Sequence, residues 1–223
     1  MTGPGVTTMS RDQISDPSSQ IMRFGPYESL RFDAGGEIAS FQQAYTTVGT
    51  LNAERSNAVL ICHALTGDQY MVEDNPVTGK PGWWIDMVGP GKPIDTDKYF
   101  VICANVLGGC LGTTGPANVN TETGQPHGKS LPVITIRDMV RAQAMLIDKL
   151  GIVQLFAVVG GSMGGMQVLE WARTFPERVF AAIPIATAAN HSSQNIAFHE
   201  VGRQAVMADP HFYNGDNYAH GEI

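Results

Sequence analysis

Short apolar runs of strand length, each followed by a turn, constrain this chain more than any other feature. Asn57–His63 reads NAVLICH, Tyr99–Asn105 reads YFVICAN, Gln154–Val159 reads QLFAVV and Val179–Ile185 reads VFAAIPI. A run that is apolar at every position marks a strand covered on both faces, which is the habit of a parallel sheet. Helical patterns lie among them. Ile136, Met139, Val140, Ala144, Ile147 and Leu150 share one face at helical spacing, and Gly151 ends that helix. Gly165, Val168, Leu169 and Ala172 trace a second helix, stopped before Pro176. Strands that alternate with helices predict an α/β fold, a parallel sheet with helices on both faces. YESLRFD (27–33) and IASFQQAYTTVG (38–49), parted by Gly35-Gly36, add a hairpin signal at the start and make the sheet mixed.

The rest of the chain sets the boundaries. Residues 1–20 are rich in Ser, Thr, Gly, Pro and Asp and read as a flexible leader. Residues 21–190 are the core, and 191–223 open a further, helical region with a helix over 192–208 and a loop-like tail from Pro210. Residues 67–97 are loop-like, with a short helix expected in WWIDMVG (83–89). Residues 108–132 form a long Gly/Pro/Thr-rich stretch, and a loop of that length inside a compact domain is expected to be functional.

Composition narrows the function classes. Hydrophobic residues make up 43% of the 223 and charged residues 16%, enough apolar mass for a real core. The net charge is −7 and no Lys/Arg cluster stands out, which excludes a nucleic-acid or anionic-membrane surface. The three cysteines, Cys62, Cys103 and Cys110, lack CxxC or Cys/His metal spacing, so neither a disulfide framework nor a zinc site is expected, and a reducing cytosol fits. The polar N-terminus lacks the apolar segment of a secretory signal, and no run of about 18 apolar residues would cross a membrane.

Gly160-Gly161-Ser162-Met163-Gly164 carries the chemistry. The G-x-S-x-G pattern directly follows an apolar strand and opens an amphipathic helix, the context of a nucleophile elbow. A sharp turn there projects the serine oxygen above the sheet edge, and glycines at 160 and 164 remove side chains that would collide with the crossing strand and helix. The helix N-terminus offers amide N–H groups to an oxyanion, with Met163 N–H the donor expected beside the nucleophile Ser162. A dinucleotide-binding turn, the competing reading, needs G-x-G-x-x-G and therefore glycine at position 162. After the first long strand comes His63-Ala64-Leu65-Thr66-Gly67. In α/β-hydrolases the loop at this place gives the second oxyanion donor, here Leu65 N–H, and Thr66 would sit beside the nucleophile.

Other residues are read as structural. His63 precedes the serine, against the Ser, Asp/Glu, His order of that fold, so it is a satisfied histidine and not the base. Cys110 is loop packing near the site, having neither a following helix N-terminus nor a clear base. Trp83-Trp84 could line a pocket but read as core and surface lid. Met139, core-facing by spacing, and Met145 are helix residues that imply no cofactor.

CHALTGD (62–68), GWWIDMVGPGKPIDTDKYFVICANVLGGCLGTTGP (82–116), GGSMGGMQVLEWA (160–172) and EVGRQAVMADP (200–210) together resemble the homoserine O-acetyltransferase family, over roughly residues 25–223. The resemblance implies an α/β-hydrolase fold and a ping-pong transfer in methionine biosynthesis. Ser162 would take the acetyl group of acetyl-CoA, the co-substrate, and pass it to the hydroxyl of L-homoserine, with no permanently bound cofactor and no metal. Thr66 matches the threonine by the substrate site. A tunnel under a helical cap would keep water from the acyl-enzyme, and 192–223 resembles the start of that cap. A cytoplasmic homodimer is implied, as is a base His with its Asp after two further strands, beyond Ile223. Asp209, Asp216, His199, His211 and His220 follow Ser162 but fall in the cap-entry region and take no triad role. The family's substrate-binding Arg also lies past Ile223, and Arg203 is structural or pocket-edge. Alone, these 223 residues are expected to expose a sheet edge, aggregate and transfer no acetyl group. The alternatives are succinyl-CoA as donor, serine as acceptor, a simple esterase, or an inactive fragment that keeps the elbow. The LGGCLGTTGP loop favours acetyl over succinyl.

Overall fold

The computed structural model describes residues 19–120 and 123–220. The expected leader lies outside the described residues as far as position 18, and Gln20 already belongs to a strand. The main sheet contains β1 (Gln20–Phe24), β4 (Phe41–Val48), β5 (Ala58–Cys62), β8 (Phe100–Ala104), β9 (Leu155–Gly161) and β10 (Val179–Ile185), in the order β1-β4-β8-β5-β9-β10. Two short two-stranded sheets, β2 (Leu30–Arg31) with β3 (Glu37–Ile38) and β6 (Val88–Gly89) with β7 (Ile94–Asp95), flank it. β1 and β4 run antiparallel, as do β4 and β8, whereas β8, β5, β9 and β10 are parallel neighbours. The antiparallel start and parallel centre match the expected sheet class, but the hairpin across Gly35-Gly36 pairs only 30–31 with 37–38 in a separate sheet, and it is β1 that pairs with β4. β1 itself went unanticipated; Phe24 anchors it by stacking on Phe41 at 4.6 Å.

Strand β5 shows why the runs are apolar throughout. Ala58, Leu60 and Cys62 face a core shared with α1 (Ile136–Lys149) and α2 (Met163–Thr174), while Val59 and Ile61 face a second cluster with Met71, Val88, Val101 and Val159. The expectation of helices on both faces is therefore corrected: among the described residues, the segment over 71–99 covers the second face. WWIDMVG supplies part of that cover and is not helical. Trp84 N–H donates to the Met71 carbonyl at 2.9 Å, and Trp83 Nε1–H donates to the Asp68 carbonyl at 2.9 Å, so neighbouring loop carbonyls engage donors of the Trp pair and pin the segment as turns.

Helix α1 starts at a capping box, in which Thr135 and Asp138 each accept the other's backbone N–H, and Gly151 at φ 71° follows its end. Its buried face holds Val140, Ala144 and Ile147 as expected, but also Gln143. In α2 the buried face is Gly164, Gly165, Gln167, Val168 and Trp171, turned from the expected one, with Leu169 and Ala172 only half-buried. The last helix, α3 (Ser193–Met207), is capped by Ser192 Oγ and buries none of its residues. The tail from Pro210, expected as loop, forms 3-10 turns over Pro210–Gly215 and Asn217–His220.

The strand at 179–185 departs most from expectation. It is the end of the sheet order and largely exposed, with Phe180 at 71% and Ile183 at 47%.

Candidate active site

The serine stands where the close-packed centre of the sheet meets the open end. β9 pairs with β5 so that Gly160 lies opposite Cys62, and α2 leaves β9 at Ser162. A Cβ on Gly160 would come within 2.6 Å of the Cys62 carbonyl oxygen, and one on Gly164 would collide with the same oxygen. The two glycines thus let strand and helix close on one carbonyl. Ser162 takes φ 56° and ψ −121°, a region that L-residues rarely adopt. The surroundings hold it there: its N–H donates to the Ile185 carbonyl at 3.0 Å, and its carbonyl accepts from Thr187 Oγ1 at 2.8 Å and from Met166 N–H at 3.2 Å.

Met163 begins α2, so its N–H is one of the first helical donors with no carbonyl a turn earlier to receive it. Leu65, 70% exposed, lies on the loop after β5 and lines the same cleft as Ser162 and Met163. That cleft has a volume of about 1400 Å³. Ile134, Met139, Met166, Ile196 and Phe198 give it apolar walls, and His191, His199 and Arg203 add polar groups. His191 and His199 stack at 5.0 Å, and Arg203 pairs with Glu200 a turn earlier. Thr66 is exposed and is not among the cleft's lining residues. Met139, expected in the core, lines the cleft, and Met145 packs on the helix-side core.

His63 is structural. Its Nε2 accepts from Val106 N–H at 3.1 Å, so the ring proton resides on Nδ1, which donates to the Ala64 carbonyl at 2.7 Å. Burial lowers its pKa and keeps the ring neutral. A buried network joins this loop to the helices. Gln167 Nε2 donates to the His63 carbonyl at 3.2 Å, Gln143 Nε2 donates to Gln167 Oε1 at 2.7 Å, and Trp171 Nε1–H donates to Gln143 Oε1 at 2.8 Å. Sequence reasoning missed both glutamines. The signal was there: 140, 143 and 147 share a helical face, as do 164, 167 and 171, and only polarity argued against their burial.

Other candidates lie apart. Among the described residues, none of the 108–132 stretch lines the cleft. Thr113 and Thr114 bind along β4, Oγ1 of each accepting a backbone N–H, from Ala44 at 3.0 Å and Gln42 at 2.9 Å. Cys110 is exposed on that stretch with its thiol pKa raised by desolvation. Trp83 and Trp84 stack on each other at 5.3 Å outside the cleft. Asp209 caps the turn that starts at Pro210, with His211 3.4 Å away; Asp216 closes that turn, and His220 stacks on Tyr213. Among the described residues, no group of three His, Cys, Asp or Glu side chains is placed to hold a metal ion, and no helix is long and apolar enough to cross a membrane.

A positive-φ serine between a parallel strand and a helix, facing the loop of the next strand, defines a class of sheet protein with an exposed hydroxyl at a strained turn. The chain belongs to the alpha/beta hydrolase fold family, whose sequence profile matches residues 57–222. Within that family it is 64% identical over 213 residues to a homoserine O-acetyltransferase of Mesorhizobium japonicum, an alignment covering 96% of this chain and 55% of the relative. The solved homoserine O-acetyltransferase of Bacillus anthracis superimposes with a TM-score of 0.79 at 35% identity, over 89% of this chain and 55% of that one. Esterase E22 superimposes with a TM-score of 0.81 at 34% identity, over the same shares, 89% and 55%. The chain spans about half the length of the curated relatives it matches. The family resemblance read from the sequence blocks is thereby upheld.

Proposed function

We propose that this site, in the whole protein, moves the acetyl group of acetyl-CoA to the hydroxyl of L-homoserine through a seryl acyl-enzyme. The observation that carries the reading is Ser162, exposed at φ 56° on the cleft in a chain 64% identical to a homoserine O-acetyltransferase. In the first half-reaction Ser162 Oγ attacks the thioester carbonyl and gives its proton to a base; the C–S bond breaks and CoA leaves as the thiol with that proton. In the second, the homoserine hydroxyl attacks the acetyl ester, its proton passes to the base and returns to Ser162 Oγ as the ester C–O bond breaks. Leu65 and Met163 N–H hold the oxyanion in both steps. Thr66, next to Leu65 on the same loop, keeps the substrate-side role that the family likeness gives it. The base is a histidine oriented by a carboxylate, the role the family likeness calls for. His63 is unsuited to it, because both ring nitrogens are engaged and burial disfavours the protonated ring that a base must become.

The reading extends to methionine biosynthesis, a cytoplasmic setting, a homodimer and no permanently bound cofactor. Acetyl-CoA is preferred to succinyl-CoA. A second reading, simple ester hydrolysis, is favoured by one observation: esterase E22 has the same fold at a TM-score of 0.81. The two differ in whether water or homoserine accepts the acyl group.

The test is intact-mass and peptide spectrometry of the whole protein after exposure to acetyl-CoA or succinyl-CoA, then with homoserine added. An acetyl mass gain on Ser162 that homoserine discharges faster than water is expected. A larger succinyl adduct would change the donor. Discharge at the same rate with and without homoserine would leave the esterase.

A further inference from the structure

The buried glutamine pair reaches both sides of the oxyanion site. Gln167 lies in α2, one turn after Met163, and is fully buried, as is Gln143 in α1. The direction of the chain of amides is set from one end. An indole nitrogen can only donate, so Trp171 Nε1–H at 2.8 Å must face the oxygen of Gln143. Gln143 then turns its NH₂ to Gln167, 2.7 Å away, and Gln167 must answer with its oxygen. This leaves the Gln167 NH₂ facing two backbone carbonyls, His63 at 3.2 Å and Met163 at 3.4 Å. The Cys62 thiol, 3.9 Å from Gln143 Oε1, adds a weak donor at the same acceptor.

Those carbonyls belong to the two segments that present Leu65 N–H and Met163 N–H. The His63 carbonyl lies two residues before the first donor, and the Met163 carbonyl belongs to the same residue as the second. We propose that Gln167 is a positioning residue. Its NH₂ group ties the loop after β5 to the start of α2 and so sets the separation of the two oxyanion donors, while Gln143 and Trp171 hold the amide in the only orientation that can do this. The inference rests on the reading of Leu65 and Met163 as those donors.

Burial of two uncharged amides on helix faces that pack mostly apolar residues such as Val140, Leu146, Ile147, Val168 and Trp171 is an expensive way to fill space, since an apolar side chain of equal length would fill it without needing partners. A fully satisfied network in return fixes geometry. Geometry is what an oxyanion site needs: loss of one donor costs about 10²–10³ in turnover, and a displaced donor costs part of that.

The test uses the whole protein, with p-nitrophenyl acetate as acyl donor and a fluorophosphonate as probe. With the probe, Ser162 Oγ forms a P–O bond, its proton goes to the base, and fluoride leaves. Gln167→Met keeps the length and removes the donor. Its kcat and its labelling rate are expected to fall about ten- to hundredfold, with KM within about twofold of the parent. Trp171→Phe keeps an aromatic ring and frees Gln143 to turn; a smaller fall in kcat, about threefold to tenfold, is expected, again without a change in KM. If Gln167→Met does not fold, Trp171→Phe decides. Rates equal to the parent in the folded variants would overturn the inference. So would kcat and KM shifting together with a loss of folded protein, the mark of a merely structural role. Ser162→Ala separates the two levels: no labelling is expected, and labelling that persists would sink the nucleophile reading itself and this inference with it.

Discussion

β5 and β10 are both apolar, both parallel to β9 and lie on either side of it, yet they live in different environments. Every residue of β5 is buried, whereas most of β10 is exposed. The contrast continues into the helices. α2 is seated on β5, β9 and β10 through Gly164, Val168 and Trp171, while α3 buries nothing. Ser162 sits on the seam. Its flanking glycines pack against the Cys62 carbonyl on the β5 side, its own backbone bonds to Ile185 of β10 and to Thr187, and the far wall of its cleft is built from α3. The turn at Ser162 is therefore held by buried β5 and by β10 together, whereas the far side of the cleft is a wall with few contacts of its own. Chemistry is expected to tolerate change in the wall and none in the grip.

The largest expected effect is at the seam itself. Ser162→Ala in the whole protein removes the covalent route, a loss of about 10⁴-fold or more in acetyl transfer; an acetyl adduct that still accumulates would place the nucleophile elsewhere. Next comes the packing difference. Leu60→Ala, in fully buried β5, is expected to cost about 2–5 kcal/mol, and Val201→Ala, at 67% exposure on α3, to stay within about 0.5 kcal/mol. Chemical denaturation measures both. A cost above about 2 kcal/mol at Val201 would show that α3 is as tightly covered as β5 and would break the contrast.

The glycines sharpen it. Gly164→Ala drives a Cβ into the Cys62 carbonyl and is expected to destabilise by about 1–3 kcal/mol, with acylation lost as the elbow shifts. Gly202→Ala, in α3 with nothing within 4 Å of the new Cβ, is expected to stabilise by about 0.5–1 kcal/mol through helix propensity. The same substitution with opposite signs would separate the two halves of the cleft in one pair of melting curves; equal signs would merge them.

A last, more gradual effect is in pH. Burial lowers the pKa of His63, and His127 is shifted the same way. Below the ordinary histidine value near 6.5 the unfolded chain binds protons that the folded chain refuses, so stability falls with falling pH until the lowered values are reached. It is flat above that window as far as these groups are concerned. The slope for His63 approaches about 1.4 kcal/mol per pH unit at most. Stability measured from pH 7 to pH 5 should decline in the parent and decline less in His63→Asn. An equal slope in the two would show that His63 is not the residue concerned.

The elbow was legible because its demands are local. Glycines at 160 and 164 after an apolar run and before a helix answer a backbone need that few other folds share, and the four runs and both early helices follow from periodicity in the same way. What escaped depends on distant partners. An apolar run looks the same whether or not another element covers it, so the exposure of β10 could not be read from VFAAIPI. β1 is short, alternates weakly, and needs Phe41 to hold Phe24. Gln143 and Gln167 went unread because their partners, each other, Trp171 and the His63 carbonyl, are brought together only by the fold. The packing role of Thr113 and Thr114 escaped too, since nothing in the pair announces that their hydroxyls finish the hydrogen bonding of β4.

The bond from Val106 N–H to His63 Nε2 has a kinetic meaning as well. Val106 lies beyond the end of β8, where an amide would ordinarily swap its hydrogen with solvent as the strand frays. Here the acceptor is a ring that is itself buried, held neutral, and anchored to the neighbouring strand's end. Deuterium can reach that nitrogen only when the termini of β5 and β8 part together. The Val106 amide is thus expected to exchange as slowly as the amides of the core although it belongs to a loop, and to report the opening of this edge of the sheet.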